Sequence, residues 1–127
     1  MRELNRVLLV DDDEDIRVVA RLALETVGGL QVMDCSSSAE ATVALESFEP
    51  DLILLDVNMP AEDGPSLLRR LHRQGTHPAV VFLTARASDD DRHRYVAMGA
   101  AAVVAKPFDP MQLASTLRQI YRDQAGD

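Results

Sequence analysis

The sequence has few aromatic residues and almost no cysteine. Aromatic residues make up 4% of its 127 residues, there is no Trp, and Cys35 is the single cysteine. Cys35 cannot form an internal disulfide, and no Cys or His lies near it at the spacing of a metal site. The core must therefore be aliphatic, and we expect Cys35 to be a small, half-buried residue.

Positive charge and long apolar runs are also scarce. Thirteen Lys and Arg stand against 21 Asp and Glu, which gives a net charge of −8. Affinity for nucleic acid depends on cations that neutralise phosphates, so we expect no nucleic-acid binding by this domain. The sequence shows no signal peptide and no apolar run that could span a membrane, so we expect a cytoplasmic protein with no membrane partner.

What the sequence does contain is five short apolar runs separated by segments with helical spacing. The first, third and fourth runs do not alternate with polar residues, which is typical of parallel strands buried on both faces. The runs cover residues 7–10, 30–33, 52–55, 79–83 and 100–105. The fourth helix is predicted at about residues 88–98. The last is predicted to start at Asp109 and Pro110, an N-cap carboxylate followed by a proline.

The regular alternation of strands and helices predicts the fold class. Short connections between alternating elements indicate an α/β sandwich with right-handed crossovers. We expect a flavodoxin-like (βα)5 doubly wound parallel sheet with strand order 2-1-3-4-5, since a closed barrel would need about 250 residues. No internal repeat or linker divides the chain, so residues 1–127 are predicted to form a single domain.

Polar side chains follow four of the five predicted strands. Ligands of open parallel sheets bind beyond the carboxyl ends of the strands, so these residues are the candidate site. In chain order they are Asp11, Asp12, Asp13, Asp56, Thr84 and Lys106. Taken singly, each has a structural explanation as a helix cap, a turn former or an exposed lysine. Three crowded carboxylates are different, because they repel one another unless a cation lies among them.

The residue types at these positions favour one kind of chemistry. A set of oxygen ligands without Cys or clustered His suits a hard cation, and Mg²⁺ needs fewer protein carboxylates than Ca²⁺. An Asp can accept a phosphoryl group as an acyl phosphate. Mg²⁺, the Lys106 ammonium and the Thr84 hydroxyl would then neutralise and bind the phosphoryl oxygens. Asp13 is better explained as the cap of the first helix than as a ligand.

These residues lie in motifs that resemble the receiver domains of bacterial two-component response regulators. The resemblance extends along nearly the whole chain, from about Asn5 to Tyr121. Its motifs are VLLVDDD at 7–13, DLILLDVNMP at 51–60 with DG at 63–64, LTA at 83–85, GA at 99–100 and KPF at 106–108. Each motif is weak alone, but all five in this order are highly specific.

The resemblance implies a metal site and a phosphoacceptor. The metal site would consist of Asp11, Asp12, Asp56 and the backbone carbonyl of Asn58, with Asp12 and Asp56 as direct ligands of Mg²⁺. Asp56 would accept a phosphoryl group from the phosphohistidine of a sensor histidine kinase or a histidine phosphotransfer protein. The domain would signal to a downstream target protein. It would not be an enzyme, since it would assist only its own phosphorylation and dephosphorylation.

The resemblance also implies roles for the residues around the acceptor. Thr84 and Lys106 would respond to the phosphoryl group, and the bond between Lys106 and Pro107 would be cis. Asn58 and Arg86 would face an attacking water and set the lifetime of the phosphoryl group. For Arg86, an ordinary solvated arginine is the alternative.

The predicted fifth strand departs from the family pattern. Many receivers carry an aromatic residue three positions before the lysine, where this chain has Val103. An aromatic side chain therefore cannot transmit a shift of Thr84. The small apolar residues 100–105 indicate either a tightly packed edge strand or an interface with a partner or a second copy, so a phosphorylation-dependent dimer stays open.

Other functions explain parts of the sequence less well. An aspartyl-nucleophile phosphohydrolase would carry an acid where Asn58 stands, and a nucleotide- or flavin-binding protein would need a glycine-rich loop after the first strand. A degenerate receiver that only binds partners would not need the complete set of site residues. The start at Met1 and the end soon after the last helix favour a single-domain regulator over a receiver cut from a hybrid kinase or an output-domain regulator.

Overall fold

Strands and helices alternate along the chain in the computed structural model, which describes residues 3–75 and 77–124. The strands are β1 Arg6–Val10, β2 Gln31–Cys35, β3 Leu52–Asp56, β4 Ala79–Thr84 and β5 Ala102–Ala105. The helices are α1 Glu14–Leu22, α2 Ser38–Phe48, α3 Gly64–Arg73, α4 Asp89–Ala97 and α5 Leu113–Gln124. All pairings are parallel, and the strand order 2-1-3-4-5 confirms the predicted fold class.

The sheet is covered on both faces, which explains why its strands have no polar alternation. In β1, Leu8 packs toward α2 and α3 on one face, while its neighbours Val7 and Leu9 pack toward α1 and α5 on the other. β3 and β4 alternate in the same way and are buried along nearly their whole length. The core is aliphatic, as predicted, apart from an edge-to-face contact between Phe82 and Tyr95.

Cys35 is more deeply buried than the sequence suggested. Its residue is 5% exposed, because the last position of β2 pairs with Val10 and faces the core. Burial raises the pKa of the Cys35 thiol to about 11, so the side chain is a small hydrophobic group rather than a nucleophile.

Two predicted boundaries shift in the structure. The regular part of α5 begins at Leu113, because Asp109 instead caps a preceding turn: its carboxylate accepts the Met111 N–H at 2.9 Å. The fifth strand begins at Ala102 rather than at residue 100, since Ala100 is still hydrogen-bonded to the end of α4. The fourth helix was predicted closely, and Ser88 and Asp91 form a capping box at its start.

The first helix changes character before it ends. After Leu22 the chain continues as a π-helical segment, Ala23–Val27, that ends at Gly28. A Cβ atom at Gly28 would lie 2.5 Å from the Cβ of Ala114, so only glycine allows α5 to pack this closely. No helix in the described part of the chain is long and apolar enough to cross a membrane.

Candidate functional site

The carboxyl ends of the two central strands bring the predicted acids together. β1 and β3 are neighbours, and Val10 lies opposite Leu55, so Asp11 and Asp56 follow these partners at the same edge of the sheet. Carboxylate oxygens of Asp11, Asp12 and Asp56 lie within 4.8 Å of one another. Asp11 is completely buried and Asp56 is 4% exposed, whereas Asp12 faces solvent.

Lys106 supplies the positive charge of this cluster. Its Nζ lies 3.0 Å from Oδ2 of Asp11 and 3.3 Å from Oδ1 of Asp56. Burial opposes the charged form of this amine, but hydrogen bonds and attraction from the two carboxylates outweigh burial and raise the pKa of Lys106. One ammonium therefore contacts two of the three clustered acidic side chains.

The charges around Asp56 do not fully stabilise its carboxylate. Burial, followed by the negative charge of Asp11, raises the pKa of Asp56 to about 6, although Lys106 opposes both effects. A carboxylate with such a pKa is stabilised in its charged form by any added cation. The electrostatics of the site therefore favour a bound cation.

Asp11 has one satisfied and one unsatisfied carboxylate oxygen. Oδ1 accepts the backbone N–H of Asp13 at 2.9 Å, and the backbone carbonyl of Asp11 accepts a hydrogen bond from Arg17 at 2.7 Å. Oδ2 is buried without an aligned hydrogen-bond donor among the described residues and has only the nearby Lys106 ammonium. Because buried carboxylate oxygens are normally fully paired, Oδ2 fits a site that holds a hard cation such as Mg²⁺.

Asp13 has the structural role predicted for it. It is the N-cap of α1, and its carboxylate accepts the N–H groups of Asp15 and Ile16 at 2.9 and 3.4 Å. The third acid of the DDD run therefore turns away from the cluster that Asp11 and Asp12 form.

The loop after Asp56 packs directly on the candidate acceptor. Asn58 is exposed, and its backbone N–H donates to Oδ1 of Asp56 at 3.3 Å. Gly64 begins α3 and donates its N–H to the carbonyl of Val57 at 3.0 Å. A Cβ atom at Gly64 would lie 2.5 Å from the carbonyl oxygen of Asp56, which explains why the sequence has Asp63-Gly64 there.

Thr84 and Arg86 lie on the other side of Asp56, at the end of β4. Thr84 is 2% exposed, and its hydroxyl oxygen accepts the backbone N–H of Arg86 at 3.0 Å. The hydroxyl hydrogen remains available for a further acceptor. The side chain of Arg86 is exposed, the N–H of Lys106 donates to the Thr84 carbonyl at 2.8 Å, and the bond between Lys106 and Pro107 is cis.

The fifth strand packs its central residue inward. Val103 is 6% exposed and belongs to the same cluster as Phe82 and Tyr95, while the neighbouring residues of β5 are partly exposed. Tight packing therefore accounts for Val103 itself.

Two sets of polar contacts near the site were missed by sequence reasoning. Arg92 in α4 donates from Nε to the carbonyl of Ala87 at 2.9 Å and from Nη1 to that of Val103 at 2.8 Å. In the β3–α3 loop, Glu62 binds Arg70, and its carbonyl accepts the Ser38 hydroxyl at 2.9 Å. The partners are backbone carbonyls or lie far apart in the chain, so no spacing in the sequence signals them.

Most of the chain resembles a known protein family and curated proteins. The family model described as response regulator receiver domain matches residues 7–118. The phosphate regulon transcriptional regulatory protein PhoB of Pseudomonas aeruginosa is 32% identical over 118 residues, covering 91% of this chain and 51% of that protein. The transcriptional regulatory protein CseB of Streptomyces avermitilis is 38% identical over 122 residues, with 96% and 51% covered. The chain thus spans about half the length of these relatives.

Solved structures show the same architecture. The chemotaxis protein CheY4 of Vibrio cholerae superposes with a TM-score of 0.81 at 29% identity, covering 92% of this chain and 98% of that one. A putative two-component response regulator with a GGDEF domain gives a TM-score of 0.84 at 28% identity, covering 96% of this chain and 51% of that one. The chain belongs to the receiver domains of two-component response regulators.

Proposed function

We propose that residues 1–127 act as a single receiver domain that accepts a phosphoryl group on Asp56 in a Mg²⁺-dependent reaction. The observation that carries this proposal is the cluster of three carboxylates at the carboxyl edge of the sheet, two of which contact one lysine. Such an arrangement offers a nucleophilic oxygen, a place for a divalent cation and a fixed positive charge within one small volume.

Asp56 is the nucleophile in this proposal. One of its carboxylate oxygens forms a bond to phosphorus as the bond from phosphorus to the histidine nitrogen of the donor breaks, and the histidine leaves as neutral imidazole after taking up a proton. The donor is a phosphohistidine of a sensor histidine kinase or of a histidine phosphotransfer protein. The raised pKa of Asp56 supports a role for a cation, because a bound cation would stabilise the charged carboxylate that attacks.

Asp11, Asp12, Asp56 and the backbone carbonyl of Asn58 would hold Mg²⁺. The ion would neutralise charge on the transferring phosphoryl group. Asp11 matters because it is buried and already fixed through Oδ1, while Oδ2, beside the Lys106 ammonium, would support the ion or its water ligands. Asp12 is exposed and can reach an ion from the solvent side.

Lys106 and Thr84 respond to the added phosphoryl group. The Lys106 ammonium already contacts Asp56 and can move its contact to a phosphoryl oxygen without leaving the site. The Thr84 side chain rotates about its Cα–Cβ bond so that its hydroxyl donates to a second oxygen, and this rotation moves the hydroxyl oxygen away from the backbone N–H of Arg86. Arrival of the group is thereby converted into a change of the loop after β4.

Asn58 and Arg86 set how long the phosphoryl group persists. Both side chains are exposed beside the site, Asn58 after β3 and Arg86 after β4, where an attacking water would approach. The output of the domain is a phosphorylation-dependent contact with a downstream target protein or a second copy of the domain. PhoB and CseB are about twice as long as the matched region, so the alternative target is a further domain of the same polypeptide.

The test is incubation with acetyl phosphate in Mg²⁺ or in EDTA, followed by intact-mass measurement. We expect one phosphoryl adduct that requires Mg²⁺ and is absent in Asp56→Asn. Asp13→Asn is the matched control, because Asp13 is a neighbouring acid whose carboxylate caps α1. It should still form the adduct. A wild-type protein that forms no adduct with acetyl phosphate or a histidine kinase would instead be a receiver that only binds partners.

A further inference from the structure

Arg92 makes a polar connection between the loop after β4 and the edge strand. The loop begins at Thr84 and leads through Ala87 to the start of α4 at Asp89. One nitrogen of the Arg92 guanidinium donates to the Ala87 carbonyl at 2.9 Å, and another donates to the Val103 carbonyl at 2.8 Å. A planar guanidinium with both contacts satisfied holds these two backbone segments at a fixed separation.

The loop end of this connection lies next to the residue that would bind the phosphoryl group. Thr84 accepts the N–H of Arg86 through its hydroxyl, and Ala87 is the next residue along the chain. If the Thr84 side chain rotates toward Asp56, its hydroxyl oxygen moves away from the Arg86 N–H, and the backbone around Ala87 adjusts. Arg92 binds the Ala87 carbonyl directly, so a movement of the backbone at Ala87 also acts on Arg92.

The strand end of the connection is the position where the chain lacks an aromatic residue. Val103 is buried, and its side chain has no rotation comparable to the movement of an aromatic ring. Its backbone carbonyl, however, is bound by Arg92. A backbone contact can therefore join loop and strand where a side-chain relay is missing.

The neighbouring arginine of α4 shows that such contacts are not a general feature of this helix. Arg94 is more exposed, forms an ion pair with Asp91 at 2.8 Å and lies over the ring of Tyr95. Both partners belong to α4 itself. Arg94 thus supports the helix, whereas the Arg92 guanidinium donates to two backbone carbonyls outside it.

We propose that Arg92 is a positioning residue for Thr84: its guanidinium fixes the loop that carries the phosphoryl-binding hydroxyl and links that loop to β5. This inference rests on the proposed phosphorylation of Asp56. Without Arg92, the Thr84 hydroxyl is less well placed over the phosphoryl group, and movement of the loop no longer reaches the edge strand.

The experiment compares Arg92→Met with Arg94→Met in the full chain. Phosphorylation by acetyl phosphate in Mg²⁺ is followed at several donor concentrations, at a temperature where both variants are folded. We expect Arg92→Met to lower the maximum rate about three- to tenfold, less than the full value of a charge-assisted hydrogen bond, because Arg92 acts on Thr84 only through the loop. The half-saturating donor concentration should stay the same. Arg94→Met should behave as wild type, and Arg92→Lys should recover part of the rate.

Hydrogen exchange provides a readout that a purely structural role would not change. In the wild type and in Arg94→Met, phosphorylation should alter exchange in the loop after β4 and in β5. In Arg92→Met the change should be confined to the loop. Equal maximum rates and equal β5 responses in the two Met variants would overturn the inference while leaving phosphorylation intact. Absence of any adduct in the wild type would remove the proposed function, and this inference with it.

Discussion

The site has two sides that are built in different ways. We call Asp11 and Asp56 the acid side, and Thr84 with the loop after β4 the reading side, because it would contact the phosphoryl group. On the acid side, Asp11 and Asp56 are buried charges fixed by the ends of adjacent strands and by backbone N–H groups. On the reading side, Thr84 lies at the start of a loop held by Arg92, whose contacts come from another element. The first arrangement places two buried carboxylates at the ends of paired strands, while in the second the Thr84 hydroxyl has a single hydrogen bond to the backbone that rotation of its side chain can exchange.

This difference suggests a division of work between the two sides. Rigid carboxylates suit metal binding and nucleophilic attack, which depend on fixed geometry. A loop with exchangeable hydrogen bonds suits a response to the product of that attack, because such segments have low local stability. Lys106 contacts Asp11 and Asp56, and its backbone contacts Thr84, so it belongs to both sides.

Removing Lys106 should produce the largest effect and tests whether one ammonium balances the acid side. In Lys106→Met, Asp11 and Asp56 keep their burial but lose the cation between them. We expect the free energy of unfolding at pH 7 in EDTA to fall by about 2–4 kcal/mol. Urea denaturation measures it. Added Mg²⁺ should restore part of the loss, and equal stabilities of variant and wild type in EDTA would contradict this electrostatic account.

Gly64→Ala should have the next largest effect and tests the packing of α3 on the acceptor. The new Cβ would lie 2.5 Å from the backbone oxygen of Asp56, so α3 or β3 must move. We expect a loss of about 1–3 kcal/mol in the free energy of unfolding, together with slower phosphorylation. The measurements are urea denaturation and adduct formation. Unchanged phosphorylation in a destabilised variant would separate the packing of α3 from the chemistry.

Asp56→Asn tests the electrostatics of the acid side through the pH dependence of the free energy of unfolding. In the metal-free fold, burial raises the pKa of Asp56 to about 6, above the ordinary value of about 3.9 for an unfolded chain. Folding therefore takes up a proton between these values, and this group makes the wild type less stable as pH rises from about 4 to about 6. Asn cannot ionise, so above pH 6 in EDTA the variant should be more stable by roughly 1–3 kcal/mol.

The pH test uses urea denaturation in EDTA from pH 4 to pH 8. The two proteins should have similar stabilities at the acid end of this range and diverge as the pH rises. Asp13→Asn is the control, since Asn is about as good an N-cap as Asp, and this variant should show no such divergence from the wild type. A wild type that gains stability relative to Asp56→Asn between pH 4 and pH 6 would show that the sign is wrong.

Arg86→Ala should have the smallest effect and concerns the reading side alone. The Arg86 side chain is exposed, and only its backbone N–H contacts Thr84. We expect the free energy of unfolding to change by less than about 0.5 kcal/mol, as for other surface positions. The half-life of phospho-Asp56 should nevertheless change. A decay curve from intact-mass measurements checks this, and an unchanged half-life would mean that Arg86 is an ordinary solvated arginine.

The two sides also differ in how far the sequence predicts them. Asp11, Asp56 and Thr84 each follow an apolar run directly, so their positions depend only on recognising a strand and on the rule that parallel strands end at one edge. The start of α5 was predicted three residues too early, because a carboxylate before a proline caps a turn as readily as a helix. Local chemistry alone does not distinguish those two outcomes.

Arg92 shows what sequence patterns leave out. Its partners are two backbone carbonyls, and carbonyls have no sequence signature. Its role depends on the rotation of α4 about its axis and on where β5 begins, and β5 begins two residues later than predicted. Contacts between a side chain and distant backbone therefore require the three-dimensional structure.

Asp56 is the proposed phosphoacceptor, the residue whose carboxylate oxygen forms the bond to phosphorus. The most direct test is phosphorylation with acetyl phosphate and Mg²⁺, followed by peptide mass spectrometry that locates the adduct. We expect a single base-labile acyl phosphate on the peptide that contains Asp56, and no adduct when EDTA removes Mg²⁺ before the reaction. An adduct on Asp11 or Asp12, or one that forms equally well in EDTA, would contradict it.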